Sequence, residues 1–281
     1  MTSRPDRRVL LLLVAAGMAC RPQAKPMTAA TAPADSEIPK DAFGAAVRRG
    51  LALVQDTRDS LPAHVGNALR CTSCHLDAGR RANGSWVGSY ARFPQYRSRR
   101  GAVELIEDRI NDCFARSMNG TPLAPNSADM RDIVAYLAFL SWRSSVGPPG
   151  GVGAERLKRF AGLTADTAAG AVTMRTVCVN CHGADGQGGP VAPPLWGPKS
   201  YNIGAGMARV RTAASFIFDN MPYDKPGSLT LQQAYDIADY INTRPRPDFP
   251  GKDLDWPRGD PPPDVAYPTR AASRKPGQQR P

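Results

Sequence analysis

Apolar positions recur at helical spacing in separate stretches of the chain, divided by polar, Gly-rich and Pro-rich segments. Residues 102–110 carry apolar side chains at Leu105, Ile106 and Ile110, with Phe114 one turn on, and this spacing predicts a helix. Asn119-Gly120 is its expected stop. Asn126, with Asp129 three residues on, predicts the cap of a second helix, on which Met130, Ile133, Val134, Leu137 and Leu140 share one broad face. In the later part of the chain Thr230 and Gln233 form a capping-box pattern ahead of Tyr235, Ile237, Ala238 and Ile241. Between the two regions, residues 144–153 read Ser-Ser-Val-Gly-Pro-Pro-Gly-Gly-Val-Gly, a hinge composition. The pattern divides the chain into a first half over residues 41–145, a linker over 146–154 and a second half over 155–256.

The two ends read differently. Arg7-Arg8 precedes the apolar run Val9 to Ala16, which predicts a secretory signal over residues 1–20, too short to span a bilayer. Two fates are open for Cys20. Cleavage nearby would discard it, whereas Gly17-Met18-Ala19-Cys20 also resembles a bacterial lipoprotein box, in which Cys20 would carry a lipid anchor. Residues 21–40 are polar and rich in Pro, Ala and Thr, the composition of a flexible linker. Residues 257–281 offer little to bury and are expected to form a disordered tail. An exported chain of this kind is expected in the periplasm.

Six Cys occur in the 281 residues, and four fall in two copies of one motif: Cys71-Thr72-Ser73-Cys74-His75 and Cys178-Val179-Asn180-Cys181-His182. C-x-x-C-H is the attachment signature of c-type haem. Two thiols add to the two porphyrin vinyl groups, and the adjacent His lies under the iron as its proximal ligand. A zinc site built from the two Cys pairs would leave both His residues unexplained. Long Cys-free stretches argue against a disulfide scaffold. Two covalently bound haem c groups follow, one for each half. The expected fold is mainly α, with two cytochrome c-like haem domains in tandem joined by long loops. In so short a domain the haem supplies much of the apolar core.

Each iron needs a second axial ligand or an open position. His64 is the one spare His of three, so bis-His ligation of both irons is excluded within one chain. It reads as a surface or helix residue rather than a ligand. For the second haem Met221, followed by Pro222, is favoured over Met207 and Met174. It lies 39 residues after His182. For the first haem the odd residue is Cys113, 38 residues after His75. A thiolate on iron would account for it. An inert buried Cys is the other reading, with Met118 or Met130 as ligand.

Net charge is +11, and Arg80, Arg81, Arg92, Arg97, Arg99, Arg100 and Arg109 crowd one stretch against Glu104, Glu107 and Asp108. Guanidinium forks suit oxyanions, and a basic face also suits an acidic redox partner. Nucleic acid is a poor partner for an exported haem protein.

The chain resembles the diheme cytochrome c thiosulfate dehydrogenases, which join two thiosulfates into tetrathionate. The residues that carry the likeness are Cys71 to His75, Trp86-Val87-Gly88, Phe93-Pro94-Gln95-Tyr96-Arg97 and the run Arg109-Ile110-Asn111-Asp112-Cys113-Phe114-Ala115-Arg116-Ser117-Met118-Asn119-Gly120. The Leu123 to Trp142 segment and Asn220-Met221-Pro222 continue it, so that it covers residues 45–256 or so. The resemblance implies that Cys71, Cys74 and His75 hold the active-site haem with Cys113 as distal ligand. Arg99, Arg109 and Ser117 are implied as anion-binding and catalytic residues. Cys178, Cys181 and His182, with Met221, are implied to hold an electron-exit haem, which passes electrons to an external partner such as a small cytochrome c. Some family members carry Lys just before this Met and exchange ligands. Asn220 stands there in this chain, so no Lys/Met exchange is expected. The reverse activity, tetrathionate reduction, and a non-catalytic diheme electron carrier are the alternatives.

Overall fold

The structure, a computed structural model, describes residues 31–81, 83–144 and 152–269. The expected signal segment, Cys20 and most of the 146–154 linker lie outside the described residues.

Two helices frame the first half. The helix Ala42–Gln55 starts at Asp41, whose carboxylate accepts from the Gly44 N–H at 2.9 Å. It crosses the helix Ala128–Ser141, which is capped by Ser127 rather than by Asn126: the Ser127 hydroxyl accepts from the Met130 N–H. The crossing is tight because Gly50 has no side chain. A Cβ there would lie 2.0 Å from the Asp132 carbonyl oxygen and 2.9 Å from the Tyr136 Cβ. Arg49 locks the edge of the crossing with a two-point fork to Asp132 (2.7 and 2.9 Å).

The second half repeats this scaffold. The helix Thr167–Thr173 crosses the helix Leu231–Asn242 at Gly170, where a Cβ would lie 2.1 Å from the Asp236 carbonyl oxygen and 3.0 Å from the Tyr240 Cβ. One turn beyond each Asp, Tyr136 and Tyr240 receive a Trp ring edge-on: Trp86 at 6.3 Å and Trp196 at 6.0 Å, both at 89°. Beside each Trp sits a left-handed glycine, Gly79 (φ 81°) or Gly186 (φ 67°), where any Cβ would enter the indole. The mainly α, tandem cytochrome c fold is the one the periodicity and the two haem motifs led us to expect. Val47, Val54, Phe114, Met130 and Phe139 fill the first core, and Phe160, Ala214, Ala234, Ile237 and Ala238 fill the second.

Several local expectations are corrected. Residues 102–104 are not helical. Ala102–Glu104 is a strand paired antiparallel with Gln95–Arg97, with Gln95 opposite Glu104, because the turn at Gly101 (φ 66°) folds the chain into a hairpin. The helix begins at Ile106, and Leu105, whose N–H is taken by Asp108, is exposed. The linker ascribed to residues 21–40 is docked in its described part: Ile38 is buried, Asp35 pairs with Arg80 and Glu37 with Arg143. A helix, Val152–Lys158, begins inside the expected 146–154 linker. The tail expected from residue 257 is packed as far as Thr269. Trp256, Tyr267 and Thr269 are buried, and Tyr267 donates to Asp255, because two aromatic rings give this segment surface to bury. Among the described residues no helix is long and apolar enough to cross a membrane.

Candidate functional site

The first C-x-x-C-H lies on a turn of 3-10 helix, Cys71–Ser73, running on to Cys74 and His75. Burial pushes the Cys71 and Cys74 thiols up to about 12, and the nearby Cys113 adds to both shifts. His75 packs flat on Trp86, centroids 4.5 Å apart at 28°, and its Nδ1 is 2.5 Å from the Gly84 carbonyl oxygen. That contact assigns the proton to Nδ1 and leaves Nε2 free to bind a metal. Burial, and to a smaller degree Arg109, pull the imidazole down to about 4, so it is neutral near pH 7. The second motif repeats the imidazole-to-carbonyl contact. Cys181 and His182 lie on the turn Val179–His182, and His182 Nδ1 is 2.9 Å from the Pro193 carbonyl oxygen. Two thiols beside a neutral imidazole with a free Nε2 fit a covalent haem in each half.

Cys113 stands where helix Ile106–Asp112 gives way to a turn of π-helix, Cys113–Ser117. Met118 N–H reaches back to the Cys113 carbonyl at 3.0 Å, across the wider ring. Such π-turns re-aim side chains and recur at functional sites. Arg109 Nη1 donates to Cys113 Sγ at 2.9 Å, and the neighbouring Cys113 sulfur holds the guanidinium above its ordinary range. Cys113, Arg109, His75, Cys71 and Cys74 therefore come together. Ser117 closes the π-turn, half-buried, and its carbonyl accepts from Asn67.

Arg99 approaches from the hairpin side. Its Nη1 donates to the Gly204 carbonyl at 2.6 Å and its guanidinium lies over Trp256 at 4.8 Å. Burial, Arg116 and Arg209 push it down to about 10. Arg97 faces the same region and is lowered by burial and by Arg109. Met221 follows the helix Val210–Asn220 and borders the second core. Of its competitors, Met174 is buried on the helix leading into the second haem motif, and Met207 touches both cores. His64, expected off the iron, is held by the Thr121 carbonyl (3.0 Å) and the edge of Phe114.

Trp86 entered the sequence analysis only as part of the family likeness, and its place beneath His75 was missed, as were Gly84 beneath His75, Pro193 beneath His182, and Asn83. Asn83 reaches the Ser215 carbonyl (2.7 Å) and Asp219 (2.7 Å), tying the loop that carries Gly84 to the helix ending at Met221. The repeated Asp-Ile-x-x-Tyr of 132–136 and 236–240 was a legible signal for the shared scaffold.

Comparison with known proteins places both halves of the chain in known domain families. Residues 63–146 match the SoxA/TsdA cytochrome c domain, and residues 165–241 match the domain of cytochrome c oxidase, cbb3-type, subunit III. The chain is 45% identical over 241 residues to a thiosulfate dehydrogenase of Psychrobacter arcticus, covering 83% of this chain and 73% of that protein. It is 39% identical over 251 residues to the thiosulfate dehydrogenase of Allochromatium vinosum, covering 84% and 92%. A solved thiosulfate dehydrogenase (TsdBA) from Marichromatium purpuratum superposes with a TM-score of 0.70 at 35% identity, over 78% of this chain and 50% of that one. The chain belongs to the diheme cytochrome c thiosulfate dehydrogenase family of oxidoreductases.

Proposed function

We propose that this protein oxidises two thiosulfates to tetrathionate at a haem held by Cys71, Cys74 and His75, with Cys113 as its distal ligand. Cys178, Cys181 and His182 with Met221 would hold a second haem, which would supply the electron exit to an external acceptor such as a small cytochrome c. The observation that carries this reading is the 2.9 Å contact of Arg109 with Cys113, in the same cluster as the first attachment motif. We infer a periplasmic site of action from the Arg7-Arg8 start and the apolar run that follows.

Each thiosulfate gives up one electron, a bond forms between the two terminal sulfurs, and two electrons leave. The haems supply one-electron acceptance and a path out. The chain has to bring two dianions together. At about 4 Å and an effective dielectric of about 20, that repulsion is on the order of 16 kcal/mol. Arg99 and Arg109 offset it with forks of donors matched to sulfonate oxygens. Ser117 adds a hydroxyl donor at the end of the π-turn. Arg109 also holds the Cys113 sulfur in place, so one guanidinium serves both thiolate and substrate. The same geometry serves the reverse direction, with tetrathionate entering and two thiosulfates leaving.

Cys113→Gly tests the reading in the holoprotein. Intact mass should still show two haems. Thiosulfate oxidation with ferricyanide should fall by about 10²–10³-fold, the scale for loss of a group acting on the transition state. Electron paramagnetic resonance should lose a His/thiolate low-spin signal and keep His/Met. An active variant with an unchanged spectrum would remove both the ligand assignment and the enzyme reading.

A further inference from the structure

Arg209 comes from the second half of the chain, and no role has so far been given to it. It precedes the helix Val210–Asn220 and follows the turn Gly206–Ala208, which packs directly on the π-turn Cys113–Ser117. The same loop grips that π-turn through Asn202, whose Nδ2 donates to the Ala115 carbonyl (3.0 Å) and whose N–H donates to the Arg116 carbonyl (3.2 Å). Two residues on, Gly204 takes the Arg99 guanidinium. Arg209 thus lies on a loop that touches both the Cys113 turn and Arg99.

Its side chain is half-buried, and its Nε is sealed from solvent with no hydrogen-bond partner. Among the described residues it forms no ion pair. The acid facing it, Asp264, spends one carboxylate oxygen on the Arg211 N–H. Tyr267 also faces it, but its hydroxyl is committed to Asp255. Burial and Arg109 both act against its charge, and Arg97 and Arg99 feel it in turn. Four guanidiniums, Arg97, Arg99, Arg109 and Arg209, are gathered here, and the carboxylates of Glu104, Asp112, Asp255 and Asp264 each act on one or two of them. Desolvated like charges are costly. A thiosulfate oxygen would give the sealed Arg209 Nε the acceptor it lacks.

We propose that Arg209 is a substrate-binding residue: a guanidinium delivered by the second half that completes the oxyanion cradle between Arg99 and Arg109 and holds one of the two thiosulfates. The proposal rests on the thiosulfate reading of the same site. It makes that site a shared one, since neither half alone carries all its cations.

The test uses the diheme holoprotein and its variants Arg209→Gln and Arg209→Lys. Loss of one charge-assisted contact should raise KM for thiosulfate by about tenfold to hundredfold in Arg209→Gln, with a smaller effect on kcat. Arg209→Lys keeps the charge but not the fork and should recover part of the loss. Haem content and the potential of the second haem should not change, which a merely structural role would not predict. Thiosulfate titration without an electron acceptor, followed through the spectrum of the first haem, should show the same weakening. If the unaltered protein oxidises thiosulfate and both variants keep its KM and its titration curve, Arg209 is not in the cradle. If Arg209→Gln fails to take up both haems, Arg209→Lys alone decides: a KM raised about threefold or more supports the cradle, and an unchanged one overturns it. An unaltered protein inactive on thiosulfate overturns the thiosulfate reading, and the cradle proposal with it, a result distinct from the variant outcomes.

Discussion

At the scale of single residues, charge that is out of water has to be matched, and this chain matches it in two ways. Arg116 is 4% exposed and fully engaged. Both terminal nitrogens fork onto Asp255 at 2.7 Å, Nε meets Asp112 at 3.2 Å, and the face lies over Phe249 at 4.2 Å. This is a structural arginine, although it sits three residues from Cys113. Asp255→Ala would leave the guanidinium buried with half its partners gone. A loss of about 3–5 kcal/mol is expected, read from urea unfolding of the holoprotein. Arg109, Arg99 and Arg209 are the opposite case: Arg109 donates to sulfur, Arg99 to one carbonyl, and the Arg209 Nε has no partner among the described residues. Spacing alone could not separate Arg116 from Arg109, since both are close to Cys113 and both are Arg.

At the scale of elements, short-range pattern marked the helices Ala128–Ser141 and Leu231–Asn242, passed over Ala42–Gln55 and Val210–Asn220, and was a poor guide to short irregular pieces. The capping box at Thr230 and Gln233 formed as read, with contacts of 2.9 and 3.1 Å. The 102–104 strand was misread because three residues of a hairpin carry no period that could outweigh the helix pattern just after them. The π-turn at Cys113 was also illegible. Its five residues have ordinary helix chemistry, and the extra residue per turn is imposed by packing. Gly50 shows the reverse, a single atom's absence that decides an element's position. Gly50→Ala would drive a methyl into the Asp132 carbonyl. The helices must part, at an expected cost of about 1–3 kcal/mol and a melting temperature several degrees lower, measured by calorimetry. Gly170→Ala should do the same in the second half.

At the scale of the whole molecule, the two haem domains are tied through residues that sit at neither motif. Asn83 is next to Gly84, the acceptor for His75, and it is clamped to Ser215 and Asp219 beside the Met221 loop. Asn220 returns a bond to the Asn83 carbonyl at 3.3 Å. Asn83→Ala should free the Gly84 loop and weaken its hold on the His75 Nδ1–H. A less basic imidazole donates less to iron, so the potential of the first haem should rise in a spectroelectrochemical titration. An unchanged potential would mean that other contacts hold the loop.

The sequence by itself determined what depends on neighbours along the chain. Two C-x-x-C-H motifs mark a candidate haem site in each half, because thiol and imidazole spacing is a local matter. The amphipathic helices and the division into two halves follow from periodicity and from the Gly-Pro hinge composition. Only the tertiary structure decided which arginines are free, what orients each proximal His, and how far the C-terminal segment packs. Those outcomes depend on residues distant in sequence, Asp255 with Arg116 and Arg209 with Arg109, brought together when both cores close. Burial then makes an unpaired charge costly enough to matter, and no local pattern records which charges will be buried together.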